Sequence, residues 1–133
     1  MSLDSLLETG ENPVKVVRTQ NGLTQRKAAE KIGCHYQTVY MAEHGMFIPI
    51  PNVLLYWAVE NSEFCVSDIR VAYIHFQVQR RLAAVDRYFL TDLSPECLGE
   101  PGSNPVYSLR RHLDLKQSRF CKELCLPVAW LYD

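Results

Sequence analysis

The stretch from Arg18 to Gly45 constrains this chain more than any other. It reads R-x3-G-L-T-Q-x2-A-A-x2-I-G-x5-V-x3-E-x-G, with Pro49 close behind. Ahead of it Val14 and Val17 share one helical face, and Asn21-Gly22 supplies the αL residue that ends a first short helix. Thr24 is placed to cap a second helix, in which Ala28, Ala29 and Ile32 recur at helical spacing until Gly33 stops it. Cys34-His35 then connects to a third helix over residues 36–43, with Val39 and Ala42 facing inward and His44-Gly45 at its end. Pro49 and Pro51 hold the chain extended before a fourth, apolar helix over 52–60 that carries Val53, Leu54, Trp57 and Ala58.

Over residues 12–60 this pattern resembles the helix-turn-helix domain of the lambdoid phage repressor and Cro family. Several independent constraints coincide: the capping Thr24, Gln25 after it, a small Ala29 where two helices cross, Gly33 in the turn, and Val39 behind the exposed face. The resemblance implies double-stranded DNA as the partner, with the helix 36–43 in the major groove and its N-terminal residues at base edges. His35, Tyr36, Gln37, Tyr40 and Met41 hold those positions. The amide of Gln37 can bond N6 and N7 of adenine together, and Tyr36 can offer its hydroxyl or meet a thymine methyl. Tyr40 and Met41 lie one turn further on, where Met41 suits packing as well as reading. Gln25, at the start of the second helix, is implied as a contact to the DNA backbone. Arg26, Lys27 and Lys15 add phosphate attraction or are solvated surface charges. Family members also pair an Arg on the first helix with a Glu at the end of the third, which makes Arg18 and Glu43 a structural ion pair.

Residues 1–11 are expected to be an N-terminal arm and residues 61–92 a helical connector. Ser67-Asp68 can cap a helix running to about Leu90, with Ile69, Ala72, Tyr73 and Phe76, then Leu82, Val85 and Phe89, at helical spacing. The run VAYIHFQV also has high β-propensity, which leaves a strand open there. Residues 93–103, rich in Pro and Gly, read as a linker. Beyond it, Asn104-Pro105-Val106 overlays Asn12-Pro13-Val14, and the register holds for thirty residues without a gap at an offset of 92. Arg110, Leu115, Gln117 and Tyr132 then repeat Arg18, Leu23, Gln25 and Tyr40. Residues 104–133 are therefore expected to be a partial second helix-turn-helix-like unit in an all-α chain. Pro127, Val128 and Ala129 stand where the first unit has His35, Tyr36 and Gln37, and Lys116 replaces Thr24, so this unit offers little to a base edge.

The net charge of -1 conceals blocks: residues 1–11 carry -3, 12–59 carry +3, 60–103 carry -3 and 104–133 carry +2. Alternating blocks suit a protein that presents chosen faces to phosphate. The five cysteines form no CxxC pair. Cys121 and Cys125 share a helical face, so a metal site is conceivable, but small core residues fit better. A reducing, cytoplasmic setting follows, with no leader and no membrane span. No cofactor is expected. Neither is an enzyme, since no nucleophile-base pair, paired carboxylates or phosphate loop stands out. The function expected is a sequence-specific regulator, a phage or bacterial repressor acting as a homodimer, with the fourth helix and the Tyr73/Phe76 segment as dimer surfaces. The alternative is a protein-interaction module, with a protein partner taken through 104–133.

Overall fold

The computed structural model describes residues 1–88 and 116–127, and these form helices with no strand among them. The elements are α1 (Leu3–Thr9), α2 (Pro13–Gln20), α3 (Gln25–Ile32), α4 (Tyr36–Glu43), α5 (Asn52–Glu60), α6 (Val66–Tyr88) and α7 (Gln117–Leu124). The linker at 93–103, Phe89, Cys97, and residues 104–115 and 128–133 of the second unit, with Arg110, His112, Trp130 and Leu131, lie outside the described residues.

Local chemistry sets the helix ends. Asn12 caps α2: its Oδ1 accepts from the backbone N–H of Val14 at 2.9 Å, and its Nδ2 donates to the carbonyl of Ala42 at 2.8 Å. One fully buried side chain thus starts α2 and ties it to α4. Thr24 Oγ1 accepts from Lys27 N at 3.2 Å to open α3. Gly33 closes α3 at φ 82°, a left-handed conformation that a residue with a Cβ rarely adopts.

α2 to α5 pack around Val14, Val17, Val39, Leu54 and Ala58, all fully buried. α6 packs on α1, α2 and α5 and on α7. The helix expected over 69–79 holds over the strand left open there, and two other sequence expectations change. Residues 1–11 are not an arm: Ser2 caps α1, Leu6 is fully buried, and α1 packs on α6. Residues 69–79 are helix, because Ile69, Ala72, Tyr73 and Phe76 meet the core at helical spacing; the helix starts at Val66, with Asp68 Oδ2 accepting from Cys65 N at 3.1 Å. Tyr73 and Phe76, proposed as a dimer surface, are buried within the chain, and the Tyr73 hydroxyl accepts from the backbone N–H of Phe47 at 3.3 Å. Of the later residues at that spacing, Leu82 and Val85 are exposed, and Ala84 is buried in their place. On α5, Leu55 is buried while Val53 is exposed.

The end of α4 is stitched to α6 and α7. Gln77 Nε2, itself buried, donates to the carbonyls of Gly45 and Phe47, both at 2.8 Å. Arg81 donates to the carbonyls of Leu124 and Cys125 at 2.9 and 2.8 Å, which terminates α7 with a cation where the helix dipole is negative. Cys121 and Cys125 are fully buried, Cys34 is half-buried and Cys65 is exposed. No group of three metal-ligating side chains occurs among the described residues.

Shifted by 92 positions, the bounds of α3 are those of α7. Both helices end on a left-handed residue, Gly33 and Cys125, whose N–H donates to Ala29 O and Cys121 O respectively. The next N–H, of Cys34 or of Leu126, returns to the same carbonyl. Lys116 holds the place of Thr24 without a side-chain cap bond. Among the described residues, no helix is long and apolar enough to cross a membrane.

Candidate nucleic-acid interface

α3 and α4 meet through the turn Gly33-Cys34-His35, and the first turn of α4 projects outward. His35 caps α4: its Nδ1 accepts from the backbone N–H of Gln37 at 3.1 Å. In the neutral ring that bond makes Nε2 the donor, and the side chain that carries it is exposed. Gln37 is exposed, and its amide makes no hydrogen bond among the described residues, so a donor and an acceptor remain open side by side. Tyr36 differs from both. Its ring is half-buried against the core, and the Arg26 guanidinium lies 4.6 Å from the ring centroid. Arg26 therefore supports Tyr36 while remaining exposed itself.

One turn on, Tyr40 packs against His44 with centroids 4.4 Å apart, and the Lys122 Nζ sits 5.6 Å from the Tyr40 ring. Tyr40, Met41 and Met46 form one wall of a cleft whose other wall is Arg119, Lys122 and Glu123 of α7. Hence α7 lies directly beside the C-terminal half of α4. Met41 is half-buried there.

A second cleft brings Gln25 and Lys15 together with His44 and Arg80. Lys27 is not part of it and stands in solvent. Burial pushes the His44 imidazole below its ordinary value; Lys122 and Arg80 push it further down, Glu43 pulls part of the way back, and Lys15 adds the smallest downward push. Three cations from three separate helices thus converge where α4 ends. Sequence reasoning missed Arg80, Arg119 and Lys122 because they lie far along the chain from α4. The net +2 of residues 104–133 was the one available hint.

Behind this surface Arg18 and Glu43 are joined edge to edge. Arg18 Nε donates to Glu43 Oε2 and Nη2 to Oε1, each at 2.8 Å, while Nη1 donates to the carbonyl of Leu23 at 2.9 Å. The side chains are 13% and 4% exposed. This pair fixes α2 to the end of α4, orients α4 and lines the second cleft with its donors and acceptors already engaged within the chain.

An exposed helix end with free amide and imidazole donors, carried on a tightly packed helix pair and flanked by cations, can bond base edges and phosphates at once. Residues 14–60 match the model of a helix-turn-helix family, a span that holds α3, the turn and α4 whole. None of the curated proteins or solved structures compared matches the chain.

Proposed function

We propose that this chain, whose residues 14–60 form a helix-turn-helix domain of the Cro and repressor type, is a sequence-specific regulator of transcription, a phage or bacterial repressor. It binds double-stranded DNA as a homodimer on a two-fold site, with α4 in the major groove. The observation that carries this reading is the open first turn of α4: His35 and Gln37 stand exposed with unused hydrogen-bonding groups on a helix that is otherwise fixed by buried contacts. Gln37 reads adenine, His35 donates to a base acceptor, and Tyr36, Tyr40 and Met41 supply apolar contact. Gln25 and Lys15 take the phosphate at one edge of the groove, where Arg80 joins them; Arg26 and Lys27 are peripheral.

The described helix of the 104–133 unit supports a role inside the chain. α7 packs on α6 and on the end of α4, and with its bounds matching α3 it reads as a duplicated unit that keeps its helix but not its reading residues. That favours packing over the capture of a separate protein partner. It also changes where DNA contact is expected: Arg119 and Lys122 flank α4, so the interface is not confined to the first unit.

Selection from random duplex DNA, followed by sequencing of what is retained, tests the reading. A two-fold motif is expected. Gln37→Ala should weaken binding to that motif by about 1–3 kcal/mol, or about 5- to 150-fold, and leave the unfolding transition in place. An unselected pool, or no duplex affinity at ~50 mM salt, would sink the proposal, since binding through several phosphates is strongest there.

A further inference from the structure

α6 is apolar on two opposite faces. One, with Ile69, Ala72, Tyr73, Phe76 and Ala84, is buried in the chain. The other carries Val71, Ile74, Val78, Leu82 and Val85, which are 47, 57, 41, 54 and 38% exposed. These five fall within about 80° of the helix circumference and extend over about 21 Å. No charged residue lies inside the strip. Single exposed apolar side chains are ordinary, but five joined in one strip mark an interaction surface, so the strip calls for a cover.

Its spacing identifies the cover. The steps between successive strip residues are 3, 4, 4 and 3, a palindrome centred on Val78. A strip one helix wide fits one helix, and a two-fold contact requires a patch complementary to itself. Two antiparallel copies of α6 meet this requirement. With the axis at the level of Val78, Val71 lies level with the partner's Val85, Ile74 with the partner's Leu82, and Val78 with the partner's Val78.

We infer that the outer face of α6 is the surface on which two copies of this chain associate, as an antiparallel helix pair about Val78. This names the surface for the dimer proposed above, but it stands on the strip alone and holds whether or not the dimer binds DNA. Two strips of this size, with their flanks, fall in the class of small interfaces that bury less than about 1,200 Å². Association should therefore appear as an equilibrium that shifts with concentration.

Sedimentation equilibrium of the full chain under reducing conditions tests the proposal. A concentration-dependent monomer–dimer equilibrium is expected. Ile74→Glu, which places two carboxylates in each interface, should raise the dissociation constant by about 100-fold or more while helicity and the thermal midpoint stay unchanged. Tyr56→Glu, on the exposed face of α5, should leave the dimer intact. Oxidation sets the orientation: Val78→Cys should cross-link to itself above the wild-type background, as should a mixture of Val71→Cys and Val85→Cys chains, whereas Val71→Cys alone should not. A wild-type chain that stays monomeric up to its solubility limit overturns the inference, as does a dimer indifferent to Ile74→Glu. Loss of cooperative unfolding in Ile74→Glu would also overturn it, by showing that the chain's own residues cover the strip. A dimer that obeys these rules but binds no duplex would overturn the proposed function alone.

Discussion

Glu43→Ala should unfold this protein more readily than any other single change at its surface-facing helices, and the reason can be followed bond by bond. The substitution removes two 2.8 Å charge-assisted bonds from Arg18, a side chain only 13% exposed. What remains to the guanidinium is the Leu23 carbonyl at 2.9 Å. A buried charge stripped of its partner costs about 3–5 kcal/mol. That is a fifth or more of the roughly 5–15 kcal/mol by which a small domain is stable. The pair itself is worth far less, because bringing both ions out of water offsets most of their attraction. Replacing both, as Arg18→Met with Glu43→Leu, should therefore cost less than either single change and could even stabilise. Urea melts measure this without screening the charges: the midpoint should fall for the single variants with the slope unchanged, and recover in the double. If Glu43→Ala costs less than about 1 kcal/mol, or the two changes simply add, the pair is solvated in practice and the account of its burial is wrong.

Four further outcomes follow from the same geometry. Gly45→Ala should cost about 1–3 kcal/mol in a thermal or urea melt, because Gly45 lies at φ +71° and a Cβ there would come within 3.0 Å of Cys125 Sγ and 3.1 Å of Phe76. Asn12→Ala should cost about 2 kcal/mol, from the lost cap on Val14 and the lost tie to the Ala42 carbonyl, which keeps its bond from the Gly45 N–H, read as a shift in urea midpoint. His44 is held below its ordinary value of 6.5, so the unfolded chain binds the proton first; stability should be full above that pH and decline below it, and His44→Gln should flatten the decline in melts run from pH 7 to pH 5. Lys122→Ala should lower the dependence of DNA affinity on salt by about one counterion without altering the selected sequence, and an unchanged salt slope would place α7 away from the phosphates.

The ends of the helices from α2 to α5 were readable in the sequence because each is set by residues in direct chain proximity. Thr24 caps α3, Gly33 supplies the left-handed turn, and Pro51 precedes α5, and none of these needs a distant partner to act. The open first turn of α4 was readable for the same reason, since His35 and Gln37 sit at the start of a helix whose inward residues, Val39 and Ala42, are fixed by period. Tyr36 was less so: that its ring leans on the core beneath Arg26 depends on how α3 and α4 cross.

α6 marks where sequence periodicity fails. With valine, isoleucine, leucine and aromatic residues on both sides, its pattern does not say which face turns inward. Tyr73 and Phe76 thus looked available for a partner, and packing on α1, α2 and α5 buried them, leaving Leu82 and Val85 exposed. Residues 1–11 were unreadable for a related reason, since Leu6, with Leu3 and Leu7 beside it, joins the core only once α6 is there to pack on α1. By itself, then, the sequence determined the local devices: the caps, the left-handed corners and the exposed amide of Gln37. The tertiary structure alone decided the convergence of Lys15, Arg80 and Lys122 on His44, and which face of α6 is left open. Local signals act through backbone bonds within a few residues, whereas these contacts join helices far apart in the chain and exist only once the core has closed.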